Sequence, residues 1–175
     1  MASILILYST TDGHTLKICQ HLQQLIAAQG HEVDLHGIDD AEPSRLDTYD
    51  KIVIGASIRY GKHQQSVYAF IERHGDLLSS RPNAFFSVNL VARKPGKNQP
   101  ETNPYVKKFL RQIAWQPRHV AIFAGKLNYP IYSWLDRKVI QLIMFITKGP
   151  TDPGTVKEYT DWEAVNAFGQ LVSDM

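Results

Sequence analysis

At 175 residues the chain is long enough for one self-sufficient hydrophobic core and too short for a multidomain machine. Its 43% apolar and 21% charged content exclude wholesale disorder and a polytopic membrane protein. One cysteine, Cys19, excludes an intramolecular disulfide and a thiolate metal centre, which fits a reducing cytoplasm. The formal charge of +2 conceals a segregation. From Arg93 to Lys148, eleven Lys or Arg stand against only Glu101 and Asp136, so this segment carries +9 and the remainder −7. Such a face suits an anionic partner, whether nucleic acid, phospholipid headgroups or a polycarboxylate ligand; a plain solvated basic face is the bland alternative.

Ile4 to Tyr8 is a continuous apolar run, as expected of a strand covered on both faces in a parallel sheet. The N-terminus lacks a basic stretch before this run, so no signal peptide is expected. After the turn-rich Ser9 to Gly13, apolar residues at Leu16, Cys19, Leu22, Leu25 and Ile26 recur at helical spacing, and Gly30 supplies a stop. Further strands are predicted at His31 to Leu35, Ile52 to Gly55, Ala84 to Val88 and Val120 to Ala124, with a helix over Ser66 to Leu78. Strands alternating with helices predict right-handed crossovers and a doubly wound parallel α/β sheet, one domain over 1–175.

Two stretches break the alternation. Asn89 to Asn103 is polar, rich in Pro and Lys and aperiodic, a long loop of the kind that carries function, and a helix through Tyr105, Phe109 and Ile113 follows it. Tyr132 to Thr147 crowds apolar residues into about four turns. That run is too short to span a bilayer; it suits either a core helix on the sheet or an interfacial helix with Trp134 and Tyr132 at headgroup depth. Thr160 to Glu163 reads as a capping box opening a last helix that buries Trp162, Val165, Phe168 and Val172.

In doubly wound sheets, ligands sit beyond the carboxyl ends of the strands. The loop after the first strand, Ser9-Thr10-Thr11-Asp12-Gly13-His14-Thr15, offers hydroxyl donors, a glycine for close approach and the free N–H groups of the next helix. It is a phosphate cradle, the ordinary alternative being a Ser/Thr-rich helix cap. Neither G-x-G-x-x-G nor a P-loop occurs, which disfavours dinucleotide and nucleoside triphosphate cradles. Two further loops, Gly55-Ala56-Ser57-Ile58-Arg59-Tyr60-Gly61 and Ser87-Val88-Asn89-Leu90-Val91-Ala92-Arg93, are placed to clamp a flat ring, with Asn89 at its polar edge.

The first loop resembles the FMN phosphate loop of flavodoxins. More specifically, Val53 to Gly61, Ser87 to Pro95 and Tyr159 to Glu163 resemble the quinone-dependent protoporphyrinogen IX dehydrogenase family of the flavodoxin superfamily. The resemblance implies a five-stranded sheet of order 2-1-3-4-5 with a long loop/helix insertion after the fourth strand. It also implies FMN as cofactor, with Ser9 to Thr15 on the phosphate and Ala56 to Gly61 and Ser87 to Arg93 on either side of the ring. The implied reaction oxidises protoporphyrinogen IX to protoporphyrin IX for haem synthesis and passes electrons to menaquinone or ubiquinone. An anionic membrane surface, reached peripherally from the cytoplasmic face, is the expected partner, and nucleic acid is not. Tyr60 is the only aromatic ring in the two clamping loops, which leaves room for a tetrapyrrole or quinone to stack. Arg59, Arg93 and Lys94 are candidate anchors for the substrate's two propionates. No residue is marked as the proton acceptor; His14 and His63 lie nearby, although a packing role is the commoner one. A flavodoxin-like electron carrier and an NAD(P)H-dependent quinone reductase are the alternatives.

Overall fold

The computed structural model describes residues 1–175, apart from the side chain of Pro43. Five strands, β1 (Ser3–Ser9), β2 (Glu32–Gly37), β3 (Lys51–Ser57), β4 (Asn83–Asn89) and β5 (His119–Ala124), pair in the order β2-β1-β3-β4-β5. All four pairings are parallel, with Ile6 of β1 opposite Leu35 on one side and Val53 on the other. The doubly wound expectation and its strand order hold.

Strand alternation divides the core in two. Leu5, Leu7, Ile52, Ile54 and Phe85 face α2 (Gln65–Ser79) and α3 (Pro104–Gln112), which contribute Val67, Phe70, Ile71 and Phe109. Ile4, Ile6, Val53, Phe86 and Phe123 face α1 (His14–Ala27) and α5 (Trp162–Asp174), which contribute Ile18, Leu22, Val165, Phe168 and Val172. Gly55 sits inside β3 because a Cβ there would lie 2.2 Å from the Phe86 ring. Lys51 opens the same strand with its ammonium buried, donating to the carbonyls of Val172 (3.1 Å) and Ser173 (2.7 Å) at the end of α5. A cation at that negative helix end satisfies carbonyls the helix leaves unpaired.

One sequence expectation is corrected, one element was not expected, and one open reading is decided. The last helix is capped by Asp161, whose carboxylate accepts from the N–H groups of Glu163 and Ala164. Thr160 instead donates to the Ala124 carbonyl at 2.7 Å, so the capping box is absent. A two-stranded antiparallel ribbon, β6 (Lys126–Asn128) with β7 (Val156–Glu158), stands outside the main sheet and was not expected. Finally, α4 (Trp134–Ile146) does not lie on the sheet as a core helix. Its buried residues Ile140 and Met144 join Leu127, Tyr129 and Tyr132 in a separate cluster beyond the carboxyl edge. The helix ends in a Schellman turn: Lys148 takes φ 57°, and the N–H of Gly149 reaches the Met144 carbonyl at 2.7 Å.

Candidate active site

The loop between β1 and α1 leaves its helix uncapped. Gly13 is the cap residue at φ 86°, and no side chain bonds the first helical N–H groups. Thr10 Oγ1 accepts instead from the N–H of Gly13 at 3.0 Å, tightening the loop from within. The Thr15 hydroxyl is buried and has no hydrogen-bond partner, a cost of about 1–3 kcal/mol that a native fold does not normally carry without use. An uncapped helix N-terminus beside an unpartnered hydroxyl is a donor set for an anion. The ordinary Ser/Thr cap reading is excluded by this geometry.

Above the loop opens a cleft of about 450 Å³. One wall is the loop after β3. Tyr60 (φ 53°) and Gly61 (φ 78°) form a tight two-residue turn, closed by reciprocal backbone bonds between Arg59 and Lys62 of 3.1 and 3.3 Å. The Arg59 guanidinium is paired with Asp12, lies 3.7 Å from Asp136 and sits 5.2 Å from the Tyr132 ring centre. Tyr60 donates its hydroxyl to Asp136. These contacts latch the β1–α1 loop and the β3 loop to the start of α4.

The opposite wall is the loop after β4, whose shape rests on a buried polar seam. His63 Nδ1 lies 3.0 Å from the Ser57 carbonyl, so that nitrogen carries the proton, and bare Nε2 accepts from Ser87 Oγ at 3.5 Å. Asn89 donates to the same Ser87 oxygen at 3.3 Å, and its own Oδ1 accepts from the N–H of Ala92 and from Asn103 Nδ2, both at 3.0 Å. Burial pushes the His63 pKa down to about 4. With Phe85 and Phe109 against its ring, His63 is a neutral packing residue beneath the site. His14 lines the cleft, 2.6 Å from Thr160 Oγ1, and burial lowers its pKa too.

Most of the expected residues converge on the cleft: Thr10, Thr11, Asp12, His14 and Thr15 at its floor, Ser57 to Gly61 on one wall, Val88 to Val91 and Arg93 on the other. Ser9, Ala56, Ser87 and Ala92 are buried behind these walls, and Gly13 and Lys94 are outside the lining. Arg93 donates to the Leu90 carbonyl at 2.8 Å and to Thr147 Oγ1 at 3.0 Å, so both cleft guanidiniums are occupied within the fold.

Sequence reasoning missed several contributors. Gln64 accepts from Ser9 Oγ at 2.8 Å and donates to the Thr10 carbonyl at 3.2 Å, pinning the phosphate loop. Tyr105 of α3 closes one side of the cleft. Ile140, Ile143 and Met144 make α4 the apolar cover, and Thr147 just beyond the helix also lines the cleft. The helical period of 132–147 was visible in the sequence, but nothing in it told sheet from cleft.

The uncapped phosphate loop, the orphaned Thr15 hydroxyl and a cleft sized for a flat ring fit FMN. Comparison with known proteins agrees. Residues 5–154 match the flavodoxin domain family. A protoporphyrinogen IX dehydrogenase [quinone] of Escherichia coli K12 is 43% identical over 98% of this chain and 94% of its own. The protein of the same name from Leishmania major is 46% identical over 94% of this chain and 71% of its own. Among solved structures, a short-chain flavodoxin associated with a bacterial microcompartment superposes with TM-score 0.59 at 11% identity, covering 99% of this chain and 98% of its own, which shows the shared fold. The chain therefore belongs to the flavodoxin domain family and, within it, to the protoporphyrinogen IX dehydrogenases [quinone].

Proposed function

We propose that residues 1–175 act as one FMN-binding unit whose carboxyl-edge cleft is the site of protoporphyrinogen IX oxidation, with a quinone as electron acceptor. The chain is an FMN-dependent oxidoreductase of porphyrin synthesis. FMN, when bound, supplies the two-electron chemistry; the protein binds, orients and shields it. Thr15 and the uncapped N–H groups of α1 hold the phosphate, and Thr10, Thr11 and Asp12 complete that loop. The turn at Tyr60 and the backbone from Val88 to Val91 flank the ring. The α4 residues Ile140, Ile143 and Met144 exclude water from above.

The observation that carries this reading is the buried, unpartnered Thr15 hydroxyl at the cleft floor. Anaerobic mixing tests it. The yellow holoprotein is expected to bleach with protoporphyrinogen IX and to recover its colour with a quinone. Bleaching by NAD(P)H alone would support a quinone reductase instead.

The same reading places the enzyme peripherally at an anionic membrane on the cytoplasmic face. No helix of the described residues is long and apolar enough to cross a membrane. Yet α4 turns Trp134, Leu135, Leu142, Phe145 and Ile146 outward, with Trp134 and Phe145 about three-quarters exposed (73% and 74%). Lys138 and Lys148 are exposed beside them. Aromatics ringed by cations suit a headgroup layer, where a lipid-dissolved quinone is met. Partition into phosphatidylglycerol vesicles should weaken roughly tenfold or more in a Trp134→Ser/Phe145→Ser variant, since each ring contributes about 1.5–3 kcal/mol on burial. Unchanged co-sedimentation would remove α4 from the lipid contact.

A further inference from the structure

We propose that the propionates of the substrate are held by Lys62 and Lys108, across a groove that adjoins the flavin cleft. The assignment rests on the functional reading above and identifies where that substrate's charge is met.

The groove has a volume of about 280 Å³ and shares Gly61 and Tyr105 with the cleft. Gly61 and Tyr105 are in close contact: a Cβ on Gly61 would come within 3.3 Å of the Tyr105 ring. The ring is therefore the partition, with the cleft on one side and the groove on the other. Lys62 follows the Tyr60–Gly61 turn, and Lys108 lies one helical turn beyond Tyr105 on α3. Both lysines are exposed, and among the described residues neither forms an ion pair. No carboxylate lines the groove; its remaining polar groups are Gln65, Gln112 and the hydroxyl of Tyr68.

The engagement of both cleft arginines favours this groove over them, Lys126 being the further cation of the cleft lining. Arg59 is paired with Asp12 and lies near Asp136, while Arg93 is bound to Thr147 and the Leu90 carbonyl. An incoming carboxylate at Arg59 would compete with a carboxylate already in contact. At Lys62 and Lys108 it meets ammonium groups with no carboxylate already in contact, opposed only by solvent and salt screening. Protoporphyrinogen is a broad macrocycle of four pyrroles joined by saturated methylene bridges, and it carries both propionates along one edge. It can present its macrocycle to the cleft and its charged edge past Tyr105 into the groove, which leaves the macrocycle's apolar edges toward α4.

The test compares a charge-bearing substrate with a neutral one. The Lys62→Glu/Lys108→Glu holoenzyme is assayed with protoporphyrinogen IX and with its propionate dimethyl ester, using a soluble quinone as acceptor. The KM for the diacid should rise roughly tenfold or more, because reversing both charges replaces attraction by repulsion. The KM for the ester should move by less than about threefold, as that molecule carries no charge for the lysines to sense. FMN affinity and the quinone KM should be unaffected, and added salt should raise the wild-type KM for the diacid only. Equal shifts for diacid and ester, or no shift for either, would overturn the groove assignment while leaving the enzyme's activity intact. Failure of the wild-type holoenzyme to oxidise either porphyrinogen would overturn the functional reading itself, and the groove assignment with it.

Discussion

Thr15→Val should move FMN affinity and apoprotein stability in opposite directions. Valine is close to threonine in shape and removes a hydroxyl that is buried without a partner. Loss of that unsatisfied group should stabilise the apoprotein by about 1 kcal/mol, read as a higher urea midpoint. With FMN the sign reverses. The hydroxyl is a donor to a charged acceptor, and such a bond contributes about 1.5–3 kcal/mol, so affinity should fall roughly tenfold to a hundredfold. Titration of apoprotein with FMN, followed by flavin fluorescence, measures the loss. Unchanged affinity would place the phosphate away from Thr15, whatever the stability did.

Acid should weaken the fold through His63. Its imidazole is 2% exposed, and burial holds its pKa near 4 against 6.5 when unfolded. Above pH 6.5 the ring is neutral in both states. Between 6.5 and 4 the unfolded chain takes up a proton that the native chain refuses, so stability rises with pH across this window and is lost as pH falls through it. From pH 7 to pH 4.5 the loss amounts to about 2.5 kcal/mol. His63→Gln removes the titrating group, so its unfolding free energy should fall by correspondingly less over the same interval. Equal slopes in the two proteins would show that His63 gains a proton without cost. Protonation also has a local consequence. A proton on Nε2 turns an acceptor into a donor facing Ser87, which already accepts from Asn89. The Ser87 hydroxyl hydrogen then loses its acceptor and a buried charge appears behind the β4 wall, so flavin should be released more readily at low pH.

The parts of this molecule legible in the sequence are those whose pattern is set by contacts along one element. The runs at Ile4, Ile52 and Ala84 announce strands because a parallel sheet buries both faces. The Ser9 to Thr15 loop announces an uncapped, donor-rich helix start because its hydroxyls and glycine adjoin one. Features made by distant partners were hidden. β6 and β7 are three residues each, too short for alternation to register, and pair across a separation of about thirty positions. Gln64 and Asn103 are ordinary polar residues until the fold brings Ser9 and Asn89 to them. Thr160 and Asp161 both qualify as helix caps by type, and only the competing Ala124 carbonyl decides between them. The same ambiguity left α4 open between the sheet and an interface. Apolar periodicity reports that a face is covered and is silent on what covers it.

That placement gives α4 a degree of mechanical independence. Its buried side chains belong to a small cluster of their own, tied to the sheet domain through Leu90, Tyr159, Arg93 and the Arg59–Tyr60–Asp136 contacts. Few apolar contacts mean a low free energy of local opening, so this helix can swing away while the strands beneath keep their pairing. A cofactor filling the space below would cement the two layers, making loading of the prosthetic group and rigidity of the roof one event.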